Sequence, residues 1–365
     1  MSALENDTVS ELAAGDASLG ATIQPPDEDP PRRRRVRPAW YGVLALAVLT
    51  AYFTLSGSSY LYTFNLCLLA VFGAIALDFL KGTGGMISTG NAAFMAVGAF
   101  TSVYVRHVGL PFPVDVICGA VAAGVAGLII GSPAVRLRGL QLFLATMAGH
   151  FLIVHFAFVY QQHSGNTAGF ISSPLFFSKG LDGGQIYWAW MLFALVSLLI
   201  LGATRLVRER SGRALRMIRD HEIVAHTMGI RVTRYKMLAF VLSSAVIGFE
   251  GGLFAQFTGA VNSENFTFQL AITYVVMVVI GGLDSVAGAC IGAATVTALP
   301  VIIPKVLDGI LGPEQAAAKG PAFSTITYGV LVILFITSSP NGMVGMVRRI
   351  RGQLVGLYAG RRASA

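Results

Sequence analysis

Charge is scarce in this 365-residue chain: Asp, Glu, Lys and Arg make up 12% of it, where soluble domains carry about 25%. With 55% hydrophobic residues and a mean hydropathy of +0.69, the polar surface is too small to clothe a water-soluble fold. Cysteine is nearly absent. Cys67, Cys118 and Cys290 all lie inside apolar runs, which excludes a disulfide-stapled secreted domain and leaves them as small buried hydrophobes. No G-x-x-x-x-G-K-[ST], G-x-S-x-G or H-E-x-x-H pattern occurs. Any ATP used with this chain is therefore expected to be hydrolysed by another. The basic start and short apolar core of a secretory signal are also missing from the N-terminus.

What the chain has is long apolar runs separated by short basic segments. A helix needs about 20 residues to cross the hydrocarbon core of a membrane. Ten spans are expected: 39–56, 60–80, 85–105, 113–133, 139–160, 186–206, 235–257, 268–282, 285–303 and 322–338. The fold class is all-α, a polytopic membrane protein with about ten transmembrane helices. Gly, at 42 residues, suits helices whose backbones approach closely. Placing both termini in the cytoplasm puts 22 of the 26 Lys and Arg residues inside and 4 outside. Merging the spans around Gly281-Gly282-Leu283-Asp284-Ser285 would throw the C-terminal Arg cluster outside, so two crossings are expected there.

Three regions follow. Residues 1–38 read as a disordered acidic tail, with seven acids before an Arg cluster at Arg32–Arg35 and Arg37. Residues 39–340 form the membrane domain and 341–365 a basic cytoplasmic tail. Gly84-Gly85-Met86-Ile87-Ser88 faintly echoes Gly281–Ser285, as in the internal repeats of transporters.

Polar residues inside the spans are the candidate pathway. Ser88, Thr89 and Asn91 fall at a break before the third span, where a half-helix end can face a solute. Ordinary interhelical hydrogen bonding is the other reading. Glu250 lies mid-span among glycines, where an acid costs about 2.5–3.5 kcal/mol to insert. It either lines the path or is paired, with His150 or His155 as candidate partners. Asp78 is expected to pair with Lys81, and Asp284 to cap a turn.

The cytoplasmic segment 207–234 reads as one or two short amphipathic helices bracketed by Gly212 and Gly229. Physics alone allows a helix lying on lipid or one docked in a partner's groove. Here the residues carry a resemblance. Gly212-Arg213-Ala214-Leu215-Arg216 and Gly229-Ile230-Arg231-Val232-Thr233-Arg234-Tyr235-Lys236 resemble the coupling loop of LivM-type permeases of the branched-chain amino-acid ABC importers. Ser88-Thr89-Gly90-Asn91-Ala92-Ala93-Phe94, Arg136-Leu137-Arg138-Gly139-Leu140, Leu238–Ser243, Glu264–Phe268 and Gly281-Gly282-Leu283 match in family order, over about 40–350. Asn91 stands where the family has His, and Glu250 where a small residue is usual.

The resemblance implies a non-catalytic permease subunit that imports branched-chain amino acids or similar small solutes by alternating access. Its expected home is the bacterial inner membrane. The implied partners are a homologous second permease, two ATP-binding-cassette ATPases and an extracytoplasmic binding protein, with lipid around them. No cofactor is expected on this chain; ATP and Mg belong to the ATPases. Gly212, Arg213, Ala214, Leu215, Ile218, Glu222, Ala225, Met228 and Gly229 would couple to them. The competing reading is a self-sufficient secondary transporter or channel that relays protons through Glu250 and His150.

Overall fold

The computed structural model describes residues 40–55, 58–86, 88–137, 139–164, 169–171 and 181–311, together with 322, 323, 326, 327, 329, 330 and 333. In lipid a chain must satisfy its backbone polar groups within itself, and the apolar runs do so as helices. These are α1 (Trp40–Leu55), α2 (Ser58–Asp78), α3 (Asn91–His107), α4 (Val114–Ala134), α5 (Leu140–His163) and α6 (Leu181–Arg208). After them come α7 (Arg210–Asp220), α8 (Glu222–Thr227), α9 (Val232–Thr258), α10 (Phe268–Gly281) and α11 (Val286–Leu311). A π-helical turn, Phe79–Thr83, extends α2. Two short strands, β1 (Phe170–Ile171) and β2 (Ala260–Val261), pair antiparallel, Phe170 opposite Val261.

Among the described residues, seven stretches are long and apolar enough to cross a membrane: Tyr60–Thr83, Val114–Ala134, Leu140–His163, Gly184–Arg208, Val232–Thr258, Ser263–Gly281 and Val286–Pro304. Helices α1 and α3, of 16 and 17 residues, fall short of the ~20 a full crossing takes. The expected third span therefore begins later than 85. Its helix starts only at Asn91, because the glycine-rich run before it leaves the α conformation, with Gly85 at φ +68°. The tenth expected span and both tails lie outside the described residues, apart from the isolated positions above.

Helix α2 is the hub, packed by α6, α9, α10 and α11. Its crossing stretch is 89% buried, against 22% for α5. Helices α3, α4 and α9 meet backbone to backbone through glycine. A Cβ on Gly98 would strike the Gly248 carbonyl, and one on Gly251 the Met95 carbonyl. One on Gly119 would come within 2.6 Å of the Gly98 carbonyl. Such contact without intervening side chains is how membrane helices gain dispersion energy where lipid removes the hydrophobic drive. Helices α10 and α11 meet in the same way at Gly281, Gly288 and Gly292.

Contacts between the helix junctions define two ends. One carries α7, α8, the α2–α3 junction and the α10–α11 junction. The other carries the β1–β2 pair, over an aromatic cluster of Phe100, Tyr160, Phe170 and Phe266.

Candidate functional site

At the α7 end two glycine-rich junctions are stitched together. Arg216 of α7 donates from Nε and Nη2 to Asp284 Oδ1, at 3.3 and 3.0 Å. Arg219, one turn on, places Nη1 3.7 Å from Asp284 Oδ2 and donates to the Gly82 carbonyl. Its stem lies over Gly85, where a Cβ would come within 2.6 Å of Arg219 Cγ. Asp78 closes the arrangement from the far side, accepting from Asp284 N at 2.9 Å and Ser285 N at 3.1 Å. One short helix thus grips two junctions that also touch each other, where a Cβ on Gly82 would come within 2.5 Å of Asp284 N.

Two local expectations are corrected here. Asp78 is held by backbone N–H groups across the junction, not by Lys81 three residues away. Asp284 is the anionic centre of a clamp; Asp78, rather than its own side chain, caps the turn. Asp284 also sits at φ +59°, the only non-glycine with positive φ among the described residues. Asp tolerates that region better than most residues.

The residues assigned to coupling divide into two faces. Gly212, Leu215, Ile218 and Ala225 are buried against their own chain. A Cβ on Gly212 would run into the Leu206 and Val207 carbonyls, so only glycine fits there. Ala214 is half-buried, and Glu222 accepts from Lys236 Nζ at 2.9 Å, tying α8 to α9. Arg213, Met228 and Gly229 are exposed. The exposed apolar surface also includes Met217, Ile223 and Val224, which the periodicity left unassigned. The amphipathic pattern locates the larger apolar stripe, and that stripe packs inward.

Inside the bundle, Glu250 of α9 is fully buried and accepts a hydrogen bond from Tyr274 of α10. The same hydroxyl lies 3.9 Å from Met95 Sδ of α3. Gly73 of α2 makes the space: a Cβ there would strike both the carboxyl and the Tyr274 ring. Four helices therefore meet at this acid. The expected pairing with histidine does not form. His150 is enclosed edge-on by Phe151 and Phe268, and His155 is exposed.

Ser88, Thr89 and Asn91 do come together. All three are buried at the head of α3. Ser88 Oγ accepts from Gly90 N at 3.3 Å, and Thr89 N donates to Thr146 Oγ1 of α5 at 3.3 Å. Met95, beside the Glu250–Tyr274 pair, lies one helical turn beyond Asn91, so the two polar sites follow each other along α3. A groove of about 440 Å³ between α2, α6 and α9 is apolar, lined by Phe72, Phe79, Leu195, Leu206 and Leu242 among others, and holds none of these residues. No cluster of three metal-binding side chains occurs among the described residues.

Residues 59–336 match the family described as branched-chain amino acid transport system / permease component. The high-affinity branched-chain amino acid transport system permease proteins LivM of Salmonella typhimurium and Escherichia coli K12 are each 26% identical over 333 residues. That covers 84% of this chain and 74% of theirs. The probable branched-chain amino acid transport permease protein LivH of Methanocaldococcus jannaschii is 24% identical over 247 residues, 65% of this chain and 74% of its own. No solved structure matches the chain.

Proposed function

Since the chain belongs to the branched-chain amino acid transport permease family, we propose that it imports branched-chain amino acids or similar small solutes across a bacterial inner membrane, as one permease of an ATP-driven importer. A second, LivH-like permease completes the pathway. Two cytoplasmic ATPases drive it, a binding protein delivers solute from outside, and ATP and Mg stay on the ATPases.

The observation that supports this most is the α7 clamp. A helix that merely lies on lipid has no need of charged contacts to two interior junctions. Helix α7 reaches the α2–α3 junction through Arg219 and the α10–α11 junction through Arg216 and Arg219. A push on α7 and α8 from a cytoplasmic partner therefore moves the ends of α2, α3, α10 and α11 together. Rigid-body motion of that kind is what alternating access requires. The partner meets Met217, Ile223, Val224 and Met228, the exposed apolar residues, with Arg213 beside them. The buried residues Leu215, Ile218 and Ala225 hold the helices to the bundle.

The proton-relay alternative needs Glu250 and His150 in contact, and they are separately enclosed. Glu250 is a buried pin between α9 and α10, beside the solute path and not a relay.

Affinity purification of the full chain from its native membrane tests the reading. A second permease and soluble ATPases should co-purify, and Ile223→Asp with Met228→Asp should remove the ATPases while membrane insertion persists. Recovery of the chain alone would overturn it.

A further inference from the structure

Helix α3 begins uncapped inside the protein. Gly90 stands at its N-cap position and no side chain caps it, while Asn91, Ala92 and Ala93 of the first turn are 2% exposed or less. The first N–H groups of any helix have no acceptor within the helix. Where water is excluded, leaving them bare is costly. Two neighbouring helices meet the same demand with side chains: Thr267 Oγ1 accepts from Leu270 N at the head of α10, and Ser285 Oγ from Gly288 N at the head of α11.

A second observation falls in the same place. Thr89 Oγ1 and Asn91 Nδ2 are buried polar atoms without a hydrogen-bond partner. Thr89 is not loose, since its own N–H donates to Thr146. Its hydroxyl and the Asn91 amide are fixed in position with nothing to bind. What collects at this point is mostly donor: backbone N–H groups, an amide NH₂ and a hydroxyl. The positive end of the α3 dipole adds to it. Glu250 of α9, beside Met95 one turn further along α3, is engaged by Tyr274 through Oε1, and its Oε2 has no hydrogen-bond partner. Such a set is unsatisfied by a neutral apolar group and complementary to an anion.

We propose that the head of α3 is the seat for the carboxylate of the transported solute, held by the first N–H groups of α3, Thr89 Oγ1 and Asn91 Nδ2. The inference rests on the permease reading and narrows its substrate class. A solute bearing a free carboxylate, such as an amino acid, offers two charged acceptor oxygens to the orphan donors and the helix dipole; urea and amides offer one neutral carbonyl. Its aliphatic part meets Phe94, whose ring packs edge-on to Phe240 with centroids 5.7 Å apart.

The test uses membrane vesicles holding the assembled importer, with Thr89→Cys in this chain and Cys67, Cys118 and Cys290 changed to Ala. L-Leucine should slow alkylation of the introduced thiol by a small maleimide, and L-leucinamide should not. Asn91→Asp, which places a carboxylate in the seat, should cut L-leucine uptake by about tenfold, the scale of one lost charge-assisted hydrogen bond. Asn91→Ser, which keeps a donor, should retain most of it. Equal protection by both compounds, or by neither, in vesicles that still take up L-leucine would overturn the seat alone. Absence of any ATP-driven uptake in unmodified vesicles would overturn the importer reading instead.

Discussion

A buried carboxyl and a buried hydroxyl that find each other are cheap to keep and costly to separate. Glu250→Ala strands the Tyr274 hydroxyl and opens a void where four helices meet, and should lower stability by about 2–4 kcal/mol. Glu250→Gln keeps a carbonyl acceptor for Tyr274 and should lose far less. Thermal melting of the detergent-solubilised chain separates the two. Glycines allow an equally sharp contrast. Gly251→Ala drives a methyl into the Met95 carbonyl and should prevent stable packing of α3 on α9, whereas a Cβ on Gly202 meets nothing within 4 Å. Gly202→Ala should leave the melting temperature unchanged or slightly raised. The depth of Glu250 was legible in the sequence, because an acid inside an apolar run has to face protein. Its partner was not. Tyr274 lies on another helix, and nothing along the chain states the register between two helices, so the histidines were an equally reasonable expectation until geometry excluded them.

Among the elements, α7 and α8 were foreseeable from apolar residues recurring among charges, and they form as two short helices. Which stripe faces home was not foreseeable. Leu215 and Ile218 have the same periodicity whether they bind a partner or their own bundle, and here they are 1% and 2% exposed. A substitution such as Leu215→Asp would therefore unpack the segment, and only the exposed Ile223 and Met228 report docking cleanly. The clamp makes a different prediction. Asp284→Asn keeps a residue tolerant of positive φ but removes the charge that Arg216 and Arg219 share. ATPases should still bind and hydrolyse ATP, while uptake falls by about fivefold, the scale of a partly exposed ion pair near 1 kcal/mol. Measuring hydrolysis and uptake on the same vesicles checks it; a parallel loss of both would place Asp284 in docking and not in transmission. The break before α3 was also readable, from Gly84, Gly85 and Gly90 around Ser88 and Thr89. The clamp across it was hidden, since its parts come from three distant stretches of chain.

For the molecule as a whole, the distribution of basic residues and the length of apolar runs sufficed to place it in a membrane and to propose its topology. Nine of the ten expected spans are helical among the described residues; α1 and α3 are shorter than a full crossing, and α10, of 14 residues, reaches one only with the turn at Ser263–Asn265 before it. The central position of α2 was beyond reach, because mean hydropathy does not distinguish a helix facing lipid from one surrounded by protein. That position has a consequence for how the protein is made. Helix α2 leaves the ribosome early, but α9, α10 and α11, which cover it, follow only after roughly 150 further residues, on the order of 10 s of synthesis. Throughout that interval Asp78, almost fully buried in the finished protein, is at the bilayer edge without the backbone groups of Asp284 and Ser285 that satisfy it. Nascent chains stopped short of α9 therefore carry an unmet polar burden into the membrane.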